Sequence, residues 1–153
     1  MRTTDLKIKE IGIVRQGLIL QIPAGLLLGV ILGIVEYRIL QPEPIVASLS
    51  FKDTWLSILI LFITTGMVEE LIFRGVLQKL GQNVMAAWGL IYISAIFAIL
   101  HVGFYSIIDV IFVFFVAITF AVIVKKTGSL IGVILAHGMT NTILFIIGPF
   151  LLS

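Results

Sequence analysis

The sequence predicts an all-α fold: a polytopic membrane helix bundle of about five transmembrane helices, N-terminus inside and C-terminus outside. Three observations predict it. The 153 residues are 60% hydrophobic and 12% charged, with a mean hydropathy of +1.23, far outside the range of water-soluble domains. Charge is missing from Gln16–Val35, Thr54–Val68, Leu80–Leu100 and Val110–Val124, and from Thr127 onward only His137 can ionise. A span needs roughly 20 apolar residues, somewhat fewer where polar groups face a bundle interior. The basic residues then sort by side: Arg2, Lys7, Lys9, Arg15, Arg74, Lys79, Lys125 and Lys126 fall inside, while Arg38 and Lys52 fall outside. That is a positive-inside distribution.

None of the apolar runs alternates with period two, so helices and not barrel strands span the bilayer. The length fits one membrane domain over residues 1–153. The first segment is too long for a signal-peptide core, and no small-residue cleavage site follows at "VEYRIL", so it reads as a retained span. The absence of cysteine excludes disulfides, a thiol nucleophile and a Cys-ligated metal. The basic residues mark orientation, and nothing in their placement suggests nucleic acid as a partner.

The first helix is expected over roughly 12–36. Its Gly25, Gly29 and Gly33 recur about once per turn, a stripe that lets another backbone approach closely. The proline-bearing loop 36–53 follows, and Trp55 suits an outer interfacial anchor. The second helix is expected over 54–79, a turn at "LGQNV", the third helix over 84–101, and the fourth over 106–124. After "KKTGS" a fifth runs over 129–147 and stops before Gly148-Pro149. No internal repeat appears, which removes the main support for a transporter built from inverted halves.

The chemistry begins at "GMVEELIFRG", residues 66–75. Arg74 lies four residues after Glu70, on the same helix face and within ion-pair reach. An unpaired charge in hydrocarbon is costly, so these two are assigned to each other. Successive helix residues differ by about 100°, so Glu69 faces elsewhere and has no local partner. The only two histidines, His101 and His137, also lie in apolar segments, and Asn141 shares a face with His137. Glu69, His101, His137 and Asn141 can therefore close around one point from three helices.

Elimination narrows the reaction. Neither histidine belongs to an HExxH pair, as a site-2-type metalloprotease requires. The aspartates are Asp5, Asp53 and Asp109, and only Asp109 is near a span, which excludes a paired-aspartate protease. Ser129 has no evident base beside it. What remains is a carboxylate working with imidazoles: Glu69 takes a proton from water, one histidine orders that water, and His137 and Asn141 donate to a developing oxyanion.

"EELIFR", "FAILH" and "HGMTN" resemble, in order and spacing, the EExxxR, FxxxH and HxxxN motifs of the CPBP family, the CAAX proteases and bacteriocin-processing enzymes also called Abi. "KKTGSLIGVILAHGMTN" resembles the approach to the third motif in bacterial members. The resemblance covers residues 54–147 and leaves residues 1–53 as a first helix and outer loop. It implies an intramembrane endopeptidase cleaving near the membrane surface, in CAAX-type processing or in bacteriocin maturation and self-immunity. It further implies that Glu69 activates water, His101 positions it, His137 and Asn141 form the oxyanion site, and Glu70 and Arg74 support them. A multi-pass protein of the bacterial plasma membrane is expected, with membrane lipids, a peptide or membrane-protein substrate, and an oligomeric or membrane-protein partner as its contacts.

Glu69, His101 and His137 would be the ligands if zinc were bound; without HExxH or a thiolate the reading favours a metal-free glutamate mechanism. Two other functions compete with it: a non-catalytic membrane immunity or interaction module, and a proton-coupled transporter, which would also use membrane-embedded Glu, His and Asn. Counting ~1.5 Å per residue places Glu69 and His101 ~10 Å apart in depth on straight helices. Tilt, or a break near "RGVLQKLGQN", is expected to remove that offset.

Overall fold

The computed structural model describes Gly12 and residues 17–153. Arg2, Lys7, Lys9 and Arg15, and the expected start of the first helix, lie outside the described residues. Five helices are long and apolar enough to cross a membrane: α1 Leu18–Leu40, α2 Phe51–Met85, α3 Ala87–Phe104, α4 Ile107–Thr127 and α5 Ile131–Leu151. No strand occurs among the described residues. Large apolar side chains such as Leu27, Ile60, Trp88 and Phe115 point outward, the surface that lipid requires.

α5 is the centre of the bundle, with 56% of its apolar window buried. α1 lies along one side of it on the glycine stripe. A Cβ on Gly25 would collide with the Gly132 carbonyl, and one on Gly33 would sit 2.6 Å from Ile143 Cβ. The Thr140 hydroxyl donates to the Gly29 carbonyl at 3.3 Å across the same seam. On its other side α5 meets α2 just as closely. A Cβ on Gly66 would fall 2.9 Å from the Ile134 carbonyl oxygen, and one on Gly138 would enter the Phe62 ring. Small residues thus let three backbones touch where interhelical packing, and not hydrophobic expulsion, must hold helices together.

Several boundaries differ from the sequence reading. α1 runs on to Leu40, where Gln41 turns left-handed (φ 46°) and returns its N–H to the Tyr37 carbonyl, so the helix goes a turn beyond Glu36 and the loop is shorter than expected. α2 continues through "LGQNV", and the chain reverses at Ala86 (φ 50°, ψ −127°). Gly81, which looked like part of a turn, is a contact surface: a Cβ on the facing Gly89 would overlap the Gly81 backbone. At ~1.5 Å per residue α2 is roughly 50 Å long, against about 30 Å of hydrocarbon.

α5 likewise passes through Gly148-Pro149 to Leu151. Pro149 has no N–H to give the Phe145 carbonyl four residues back. That carbonyl accepts instead from Ile45 N in the loop between α1 and α2, at 3.1 Å. Residues 143–147 form a π-helical turn, with Gly148 N–H reaching back five residues to Ile143.

Candidate active site

The chemistry gathers where α2 passes α5. Residues 62–69 and 71–77 of α2 are π-helical, with Gln78 N–H donating to Phe73 five residues back. Such widened turns recur at functional sites, and of the tilt or break expected near "RGVLQKLGQN" there is no break, since α2 is continuous to Met85. Wider turns rotate successive side chains by less than the 100° of an α-helix. As a result Glu69 and Glu70 both reach one imidazole, contrary to the expectation that they face apart. The Glu70 Oε1 accepts from His137 Nδ1 at 2.9 Å, while Glu69 Oε2 stands 3.9 Å from His137 Nε2.

Glu70 also accepts from Arg74 Nη1 at 2.9 Å on the same oxygen. The expected pair is present, but Glu70 is shared, with His137 as its second partner. The carboxylate is 0% exposed and the guanidinium 3%. Arg74 lies 4.2 Å from the Phe97 ring centre and reaches the Ala117 carbonyl at 3.4 Å. Its charge is thus met by a carboxylate, an aromatic face and a backbone oxygen, the combination a guanidinium accommodates best.

His101 lies in the final 3₁₀ turn of α3, half-buried, with Nδ1 donating to the Phe97 carbonyl at 3.0 Å. Both histidines therefore spend Nδ1 on a protein acceptor, which fixes ring orientation and leaves Nε2 for other work. Asn141 Nδ2 donates to Thr65 Oγ1 at 2.8 Å, and that hydroxyl donates onward to the Leu61 carbonyl. Thr65 precedes Glu69 by one turn, a spacing from which its presence could have been anticipated.

Glu69, His101, His137 and Asn141 line one cavity of about 370 Å³, and Thr65 and Glu36 join them in its wall. The rest of the wall is apolar, with Phe73, Phe97, Phe104 and Phe145 among its side chains. Glu69 is 35% exposed toward this space. Glu70 and Arg74 lie behind it, out of the lining. Helix α1 contributes Glu36, which was missed because the first helix was expected to end there.

Among the described residues no three His, Asp or Glu side chains converge as the ligands of a metal ion would. Glu69, His101 and His137 share a cavity without forming a zinc ligand set, so no step below runs through a metal.

The family described as type II CAAX prenyl endopeptidase Rce1-like matches residues 51–143, more than half of the chain. The chain belongs to this family. The matched stretch carries Glu69, Glu70, Arg74, His101, His137 and Asn141, and it excludes α1 with Glu36. No curated protein and no solved structure matches the chain. With five membrane-length apolar helices, this member of the CAAX endopeptidase family is a multi-pass membrane protein.

Proposed function

We propose that the chain is an intramembrane endopeptidase in which Glu69 activates a water molecule for attack on a peptide bond. The observation that carries this reading is the shared cavity: one half-exposed carboxylate, two imidazoles anchored through Nδ1, and an amide held by a threonine. The 3.9 Å gap between Glu69 and His137 Nε2 is too long for a direct hydrogen bond and suits a bridging water.

In the proposed step Glu69 takes one proton from that water, and the hydroxide oxygen bonds to the carbonyl carbon. Charge develops on the carbonyl oxygen, where the remaining Asn141 N–H is available as a donor. Glu69 and Glu70 flank the His137 ring from its two nitrogens, at 3.9 Å from Nε2 and 2.9 Å from Nδ1. Collapse breaks the C–N bond, and Glu69 passes its proton to the leaving nitrogen. His101 Nε2, turned to the same space, positions the water. A substrate must present an unwound amide, so extended segments at the membrane surface are the class it would take.

The test is cleavage of a quenched peptide carrying a farnesylated cysteine followed by three residues, by protein reconstituted in liposomes. Glu69→Gln is expected to lower kcat by about 10²–10⁴, the usual contribution of a general base, while leaving insertion and folding intact. Undiminished cleavage by Glu69→Gln would sink the proposal.

A further inference from the structure

Glu36 reaches the cavity from α1, outside the segment that defines the family. Its side chain is 6% exposed, yet no hydrogen bond or ion pair to it occurs among the described residues. Within electrostatic reach stands a second carboxylate, Asp109 near the start of α4, which is fully buried with neither oxygen hydrogen-bonded. The ion pairs among the described residues are Arg74–Glu70 and the two contacts of His137, so no lysine or arginine pairs with Glu36 or Asp109. Arg38, two residues beyond Glu36, points away to the exposed side, as residues two apart on a helix do.

Buried carboxylates are ordinarily paired, and here the protein withholds the partner at a wall of the substrate space. The remaining surroundings fit a particular guest. Phe97, Phe104 and Phe145 would accept an aliphatic stem, and aromatic faces attract a cation.

We propose that Glu36, backed by Asp109, forms a subsite for a basic side chain, lysine or arginine, near the scissile bond of the substrate. This rests on the endopeptidase reading above. An arriving ammonium or guanidinium supplies the counter-charge that these two acids lack, whereas an acidic residue there would add a third carboxyl to an unpaired pair.

The experiment compares quenched peptides identical except for Lys, Ala or Glu at each position flanking the scissile bond, using the whole protein in liposomes. At one position the kcat/KM ratio of the Lys to the Glu peptide should be at least about tenfold, since like charges brought together cost several kcal/mol. Glu36→Gln should bring that ratio close to one, and Asp109→Asn should reduce it partway. The ratio is the readout, because a merely structural role would lower all peptides alike. A wild-type ratio near one, or a preference unchanged in both variants, overturns the subsite and leaves the endopeptidase reading standing. Should the wild type cleave no peptide, the endopeptidase reading fails, and fluorescence anisotropy of the same peptides on Glu69→Gln protein decides the subsite. Tighter binding of the Lys peptide, lost in Glu36→Gln/Glu69→Gln, supports it; equal binding of Lys and Glu peptides overturns it.

Discussion

Truncating Glu70 to alanine measures what holds the cavity wall in place. The wild-type carboxylate is wholly buried and accepts from Arg74 and His137 at 2.9 Å each. Without it, the Arg74 guanidinium keeps one long bond to the Ala117 carbonyl, at 3.4 Å, and the Phe97 ring at 4.2 Å. Neither offsets a full charge. Removing one member of a buried pair costs about 3–5 kcal/mol, most of it for the charge left behind. At about 1.4 kcal/mol per tenfold, the folded-to-unfolded ratio should fall by two to three and a half powers of ten. Equilibrium unfolding in dodecylmaltoside titrated with SDS, followed by circular dichroism, gives the difference. Glu70→Ala/Arg74→Met, which also removes the stranded charge, should recover most of the loss. The reasoning is wrong if Glu70→Ala stays within about 1 kcal/mol of wild type, or if the double variant is no more stable than the single one.

Gly29→Ala should destabilise by about 1–3 kcal/mol, as overpacking does, because the new methyl would strike the Ala136 carbonyl and lie 2.7 Å from Met139 Cβ. Gly103→Ala, with nothing within 4 Å of the added carbon, should stay within about 0.5 kcal/mol in the same unfolding assay. Thr65→Val removes the acceptor of Asn141 Nδ2, and should lower kcat about tenfold with a stability change near 1 kcal/mol; an unchanged kcat would remove Asn141 orientation from the mechanism. Peptide cleavage should survive EDTA, and elemental analysis showing one zinc per chain, with activity lost on chelation, would refute the metal-free step.

The parts of this structure that sequence could reveal are those governed by fixed periodicity. The Glu70–Arg74 pair follows from four-residue spacing, and the seat of α1 on α5 follows from Gly25, Gly29 and Gly33. What it concealed depends on departures from that period or on contacts distant in sequence. Glu69 and Glu70 converge on His137 because α2 is π-helical there, and no residue in "FITTGMVE" announces a wider turn. Gly81 resembles turn chemistry, yet its use is decided by Gly89 on another helix. Pro149 looked like a helix stop, but Ile45, more than a hundred residues earlier, takes over the carbonyl it strands. Glu36 was hidden by a boundary error. "EYRIL" contains no helix breaker, and the prolines that suggested a loop begin only at Pro42.

The two glycine seams divide the cavity into a stiff half and an adjustable half. Where α1 and α2 meet α5 on glycines, a Cβ would strike a carbonyl or a packed side chain of the facing helix, so these helices cannot draw closer together. α3 touches the α2 backbone near its start, at Gly89 on Gly81, while its far end, which brings His101 and Phe97, is held by side chains. A change of cavity width that spares these seams therefore falls to the far end of α3, and His101 would travel with it.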